Sequence, residues 1–434
     1  MNIDITEEDS RYMYGFVQGI IEEVGPRMPC SPQEAKAAEI IKQEFEKSCD
    51  KTVLESFTCH PKAFLGWIKL DMVLVILSFL LYLLIQLFIE YIWLLILTIG
   101  SFLLVLLPFL IMWEEFFNYK EFIDPIFRKK TSQNVIGSFK PKGELKKIII
   151  FSSHIDSAIE FKLLKLLGWG FIPLAFGAIL IMLMWLVLSC LNLIFIVIGL
   201  IKLKSLFFNV AVWTLIIGSP CFIGLFFFAP LGDKGNVVPG AVDNLSSCSV
   251  VQGLGRYLKN HRDIIPDNTE VRLISFGCEE SGLRGAFRYA ATHLEELQKY
   301  DSYVVNMDGL ETPDGFYIIE FEPTTRTWHS EEVIQKLLKA SEDMGIEAKR
   351  FGAGKLEKTL GRLSGGSDAA AFSKAGIKAG FLNSADWKTR SRYYHQSTDT
   401  IDKIKPRTLE TALKICIAFL MNEKIVINNK SNYS

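Results

Sequence analysis

From Met72 to Ile89, and again from Ile92 to Met112, the chain carries no charged residue. Each run approaches or reaches the roughly 20 apolar residues that cross the hydrocarbon core of a bilayer. Only Glu90 and Tyr91 separate them, so the pair predicts a transmembrane hairpin over 66–112, with Trp67, Trp93 and Trp113 near its ends as interfacial anchors. A second apolar tract, Leu166 to Pro230, is interrupted by charge only at Lys202 and Lys204. It predicts two spans, one within Trp169–Ile201 and one over about 206–228. The first is long for one untilted span, so a bend or re-entrant piece is expected at Pro173, Gly177 or the Ser189–Asn192 stretch. If the flanks of each insertion belong to one soluble domain, each insertion crosses the membrane an even number of times. That gives four spans, with six as the alternative.

Half of the 434 residues are hydrophobic and 32 are Phe, but the excess is confined to these tracts. The remaining segments, 1–65, 113–165 and 231–434, read as one water-soluble domain. Lys and Arg crowd the soluble side of the spans (Lys62, Lys69, Lys120, Arg128, Lys129, Lys130, Lys162, Lys165, Lys234), against Lys202 and Lys204 on the other. The expectation is therefore a multi-pass protein of the cell membrane whose soluble domain faces the cytoplasm. An acidic N-terminus without an apolar segment predicts no signal peptide. The eight cysteines show no Cys-x-x-Cys spacing and read as free core or membrane thiols rather than a thiolate metal site. A net charge of -1 gives no basic field, and no nucleic-acid partner is expected.

Within the soluble segments, helices are predicted over Ser10–Val24 and from Pro32 to about Glu46. The second is opened by Ser31-Pro32-Gln33-Glu34, which reads as a capping box. Strands are predicted at Lys51–Cys59, Gln133–Phe139, Leu145–Ser153, Glu270–Phe276, Tyr303–Met307, Gly315–Phe321 and Lys378–Leu382. Helices fall at Leu245–Lys259, Gly285–Leu297, Ser330–Met344, Ala369–Lys374 and Arg407–Met421. Strands alternating with helices imply an α/β fold: a mixed, mostly parallel sheet with helices on both faces, interrupted by two transmembrane insertions.

Chemistry enters where apolar strands end. Ile149 to Ser157 is a buried-strand run closing in His154-Ile-Asp156, where His154 can ligate a metal and Asp156 can hold its other ring nitrogen. Glu279 and Glu280 follow the next strand. Adjacent carboxylates suit a cation, and equally a solvated loop. Asp308 ends a third strand in the same way. Asp243, in Gly240-Ala-Val-Asp243-Asn244, fits an N-cap as well as a ligand, with Gly240 permitting a close approach. His395 lies near the last helix. Three strands of a parallel sheet put these groups on one edge. Two His and several carboxylates without a thiolate suit zinc and are numerous enough for two ions, leaving one of the Glu pair free as a base.

These segments resemble the co-catalytic zinc exopeptidases related to bacterial leucyl aminopeptidase, glutamate carboxypeptidase and glutaminyl cyclase. The resemblance rests on Gly25-Pro26-Arg27 with Ser31, Asn134-Val-Ile, His154-Ile-Asp156, Gly240-Ala-Val-Asp243-Asn244, Glu279-Glu280-Ser-Gly-Leu-Arg-Gly, Asn306-Met-Asp308, Ser367-Asp368 before Ala-Ala-Ala-Phe, and His395 with Asp399-Thr-Ile-Asp402. It implies a di-zinc site in which Asp243 bridges, His154 and Asp308 complete one zinc, and Glu280 and His395 the other. Glu279 would be the general base and Asp156 the residue that orients His154. The implied activity is that of a membrane-anchored metallo-aminopeptidase acting on peptides at a lipid bilayer. A single-zinc glutaminyl cyclase and a non-catalytic peptide-binding receptor or transporter are the alternatives. Retained Glu279 argues against the last, and apolar span cores essentially free of acidic residues and Arg give little support to a proton- or ion-coupled pathway. Ala369 and Ala286 depart from residues common in relatives and are expected to alter the substrate pocket. Lys388, Arg390 and Arg392 are candidates for a substrate carboxylate or a solvated loop, and Phe381 and Trp387 for pocket lining or core. His60, His261, His293 and His329 read as surface or partly packed residues.

Overall fold

The computed structural model describes residues 3–85, 90–230, 232–361 and 365–431. The end of the first predicted charge-free run, at 86–89, and the side chain of Lys204 lie outside the described residues. The chain divides into two compact units: Met1–Pro61, Lys129–Glu160 and Leu231–Ser434 form one, Lys62–Arg128 and Phe161–Pro230 the other.

The first unit is built on ten strands: β1 (Lys51–Cys59), β2 (Lys130–Phe139), β3 (Lys147–His154), β4 (Thr269–Phe276), β5 (Asp301–Leu310), β6 (Phe316–Ile319), β7 (Phe321–Glu322), β8 (Thr327–Trp328), β9 (Ala348–Phe351) and β10 (Lys378–Ser384). Eight of them form one sheet in the order β1-β2-β4-β3-β5-β10-β6-β9, and β7 and β8 form a separate ribbon. The central strands β4, β3, β5 and β10 run parallel, whereas β1, β2 and β6 pair antiparallel. The mixed, mostly parallel sheet expected from the sequence is thus present.

Alternation along the strands sends Ile149, Phe151, Leu273 and Val305 to one core, together with the helices Glu7–Glu23, Pro32–Ser48 and Ser246–Asn260. Ile148, Ile150, Ile274 and Val304 face the other, with the helices Arg284–Thr292 and Asp368–Lys374. Each fully buried side chain of this size is worth roughly 1.5–3 kcal/mol, so both faces hold the strand ends in place. Ala286 and Ala369 belong to this second core. Their departure from relatives is therefore a matter of packing under the sheet rather than of the substrate pocket.

Both insertions leave and re-enter the sheet unit at closed points. The antiparallel β1–β2 ladder runs to Cys59 opposite Lys130, so the first insertion replaces a hairpin turn. The second leaves after Glu160, whose amide donates to Gly235 O at 3.1 Å beyond the return. A loop joined at such a stem disturbs the sheet little, because the added closure entropy grows only slowly with its length.

Among the described residues the second unit contains four helices long and apolar enough to cross a membrane: Ala63–Leu84, Tyr91–Phe117, Lys162–Val197 and Leu206–Phe226. Inside it Trp185 stacks on Phe79 at 4.0 Å and donates from Nε1 to Ser78 Oγ at 2.8 Å, while Ser78 and Ser101 bond across two helices. Outward, Leu80, Ile92, Leu103, Leu180, Val187 and Ile217 are exposed, an arrangement suited to lipid rather than water. The break in the long third tract falls at Gly168 (φ 54), after a short helix Lys162–Leu167, and Phe171–Val197 then runs on without interruption through Pro173, Gly177 and Ser189–Asn192. The first helix begins at Ala63, three residues before the predicted hairpin, and carries Lys69 and a fully buried Asp71 ahead of the charge-free run from Met72.

Other differences are local. Gly285–Leu297 is two helices, Arg284–Thr292 and Leu294–Lys299, broken at His293. β9 was invisible because a short edge strand with an exposed face has no alternating pattern. His329 is not a surface residue. Its Nε2 lies 2.9 Å from Glu322 Oε1 and its Nδ1 2.9 Å from Ser373 Oγ, with the side chain fully buried.

Candidate metal and catalytic centre

β3 ends at His154, β4 leads within three residues to Glu279, and β5 carries Asp308 near its carboxyl end, so parallel pairing brings all three to one edge. Asp243 reaches them from the turn before the helix Ser246–Asn260. Its Oδ1 lies 3.2 Å from His154 Nε2 and its Oδ2 3.1 Å from His395 Nε2. Asp308 Oδ1 is 3.7 Å and Glu279 Oε2 3.9 Å from His154 Nε2, while Glu280 Oε1 is 3.4 Å from His395 Nε2. All seven residues singled out in the sequence, including Asp156, therefore meet at one place.

Asp156 lies at the other ring nitrogen of His154, with Oδ1 3.6 Å from Nδ1. His154 Nδ1 contacts the Asp156 main-chain carbonyl at 3.1 Å, which leaves Nε2 to present a lone pair to the centre. The Asp156 carboxylate also accepts the amides of Glu279 and Glu280, each at 3.0 Å, and so fixes the turn that carries both. That turn is also held by Asn134, which bonds Gly277 N and Gly285 O, and by Glu34, which accepts Cys278 N at 2.8 Å. Gly285 has to be glycine for this approach, since a Cβ there would sit 2.3 Å from Gly277 O. Glu34 therefore does not close the predicted capping box. Ser31 caps the helix alone, and the buried Glu34 carboxylate is taken by Cys30 N, Cys278 N and Ser132 Oγ.

The bridging position has its own support. Asp399 accepts Val242 N at 2.9 Å and Asp243 N at 3.1 Å. Arg27, fully buried, donates to Ile155 O, Pro239 O and Gly240 O and thereby ties the segment after His154 to the segment before Asp243. Gly240 (φ 62) leaves no room for a Cβ, which would lie 2.6 Å from Asp243 O.

The electrostatics describe a site short of positive charge. Burial would lower the His154 pKa, but Glu279, Asp156, Asp243 and Asp308 outweigh it and raise it well above the ordinary imidazole value. Glu279 and Glu280 are pushed well above the usual carboxylate range, by burial first and then by neighbouring carboxylates. Asp308 is raised for the same reasons, whereas the two imidazoles overcome burial at Asp243 and lower it. Among the described residues, His154 Nε2, Glu280 Oε1 and Asp308 Oδ1 are buried with no hydrogen-bond partner. Orphaned N and O atoms converging without sulfur fit a zinc-type cation. The sets His154–Asp243–Glu280 and His154–Glu279–Asp308 each offer ligand atoms within 4.8 Å of one another.

Residues 229–420 match the profile of Peptidase family M28. The match begins at Ala229, in the last residues of the second insertion, so His154 lies outside it and is supplied by the fold. The chain is 32% identical over 177 residues to aminopeptidase YwaD of Bacillus subtilis, a match covering 40% of this chain and 35% of that relative. Among solved structures, BSAP, a zinc aminopeptidase from Bacillus subtilis, superposes with a TM-score of 0.53 at 16% identity, covering 95% of each chain. The aminopeptidase from Aneurinibacillus sp. strain AM-1 gives 0.51 at 15%, covering 95% of this chain and 94% of that one. The glutaminyl cyclase of Fimbriiglobus ruber gives 0.54 at 14%, covering 97% of each. These likenesses establish a common fold.

Of the residues around the centre, Arg390 is buried and stacks on Tyr394 at 5.0 Å, whereas Lys388 and Arg392 are exposed. Phe381 packs into the core under the sheet, and Trp387 is exposed and stacked on Phe351. Sequence reasoning gave Arg27 and Asp399 no role and misread Glu34. Their partners lie 98 to 244 positions away in the cases of Ser132 and Cys278, beyond the reach of any local pattern.

Proposed function

We propose that this chain is a membrane-anchored di-zinc aminopeptidase of the M28 type that removes N-terminal residues from peptides. The observation that carries the reading is Asp243, whose two oxygens face two imidazoles at 3.2 and 3.1 Å, the arrangement a bridging ligand needs. His154 and Asp308 would complete one metal position, and Glu280 and His395 the other. Zinc held there would polarise the scissile carbonyl and acidify a water. Glu279, fixed by Asp156 through its amide and raised in pKa by burial, takes the proton from the attacking water at its carboxylate and returns it to the leaving amine. Asp368 is buried beside the centre with both carboxylate oxygens lacking a hydrogen-bond partner among the described residues, and burial pushes its pKa well above the usual carboxylate range.

Purified full-length protein is expected to release free N-terminal amino acids from dipeptides and aminoacyl substrates, and Asp243→Ala to lose two zinc ions per chain together with that activity. Cyclisation of N-terminal glutamine without release of a residue would identify a cyclase instead. Retention of both ions by Asp243→Ala would remove the bridge.

The four apolar helices support a multi-pass anchor, and the Lys/Arg bias supports a cytoplasmic catalytic unit. A cysteine placed at Lys202 should gain labelling by an impermeant thiol reagent added outside intact cells, relative to the unsubstituted chain. Labelling of a C-terminal cysteine from outside, with none at Lys202, would reverse the orientation.

A further inference from the structure

A second cluster of ligand atoms lies in the same unit, made of the sulfur that the hydrolytic centre lacks. Cys30, Cys59 and Cys278 are 29 and 219 positions apart, and no pair is bonded. Their Sγ atoms nevertheless close a triangle of 3.3 Å (Cys30–Cys59), 3.2 Å (Cys59–Cys278) and 3.8 Å (Cys30–Cys278). A disulfide would need one short side and would leave the third thiol out, whereas three near-equal sides point to a common centre. The circle through the three sulfurs has a radius of about 2.0 Å, just inside the ~2.3 Å of a zinc–sulfur bond, so an ion slightly above their plane reaches all three.

The surroundings prepare the site. Glu34 accepts both Cys30 N and Cys278 N at 2.8 Å, so one buried carboxylate sets the backbone of two of the three cysteines. Cys59 and Cys278 are buried and Cys30 is half-buried. Cys59 is held below the ordinary thiol pKa by hydrogen bonds with Cys278 and Cys30, and then by the charges of Arg284 and Arg288. Those cations also face the single net negative charge that three thiolates and a divalent ion would leave.

We propose that Cys30, Cys59 and Cys278 bind a thiophilic divalent cation of the zinc class at a structural site distinct from the hydrolytic centre. The ion ties together the loop before the helix Pro32–Ser48, the end of β1 and the turn after β4, whose next residue is Glu279. Binding releases the thiol protons and leaves a fourth position for water or another ligand.

The test uses full-length protein in detergent, stripped with a chelator under reducing conditions and titrated with Cd²⁺. A thiolate-to-cadmium ultraviolet band should grow and saturate at one ion per chain, since imidazole and carboxylate ligands give no such band. Cys59→Ser should abolish the band and lower bound metal by one ion, while the two ions that depend on Asp243 stay. Cys49→Ser should change neither. Should Cys59→Ser not fold, Cys30→Ser serves in its place, and in the unsubstituted chain Cd²⁺ should protect three thiols from alkylation. The proposal is overturned by absence of the band, by a band unchanged in the variants, or by a native disulfide joining two of the three.

Discussion

Glu279→Gln is expected to lower kcat for peptide hydrolysis by about three orders of magnitude while leaving bound zinc unchanged, within the ~10²–10⁴-fold that positioned acid–base groups contribute. The substitution keeps the shape of the side chain, and the contact that places it, its own amide donating to Asp156 at 3.0 Å, is a main-chain contact that Gln preserves. Only the capacity to take and return a proton is lost, so KM should move far less than kcat. The same variant should also lose any kinetic pKa that belongs to this carboxylate. Peptide binding that persists while turnover disappears is the outcome that supports acid–base chemistry. A variant retaining more than about a tenth of the rate would transfer the role to another group, and one that kept all biological function would favour a binding module.

Why the centre could be read from the chain, and its supports could not, follows from the range over which each is encoded. Parallel strands buried on both faces read as continuous apolar runs, so β3, β4 and β5 were legible, and with them the edge where His154, Glu279, Glu280 and Asp308 emerge. The apolar tracts were legible because helices long and apolar enough to cross a membrane are written as nearly uninterrupted apolar runs. Glu34 obeyed a local rule that predicts a capping box, but the main-chain donors of Cys30 and Cys278 and the Ser132 hydroxyl claim its carboxylate instead. Arg27 reaches Ile155 and Pro239, and the three thiols meet across 248 positions, so neither leaves a trace in spacing.

Protein stripped of metal should become more heat-stable as pH falls from about 8 to about 5, and zinc-loaded protein less so. The sign comes from the carboxylates that crowd the centre. Asp399 is pushed up from 3.8 to about 7, chiefly by burial and then, against the two amides it accepts, by Asp243. A raised acid contributes stability that is fully present below its unfolded pKa and lost as pH rises through the folded one, here between about 4 and 7. By the relation of ~1.4 kcal/mol per tenfold in proton affinity, that group alone is worth about 4 kcal/mol across the window. Glu279, Glu280, Asp308 and Asp368 are raised too, and His154, raised above 6.5, adds a loss of the same sign at higher pH. Asp243 is lowered, so its contribution is present throughout this range and adds no slope. Protons thus stand in for the missing cations in stripped protein, whereas in loaded protein they compete with zinc for His154, His395 and the carboxylates. Thermal melting at pH 5, 6, 7 and 8 should give Tm lines of opposite slope that approach one another at acid pH. Parallel lines would show that these groups do not share a metal.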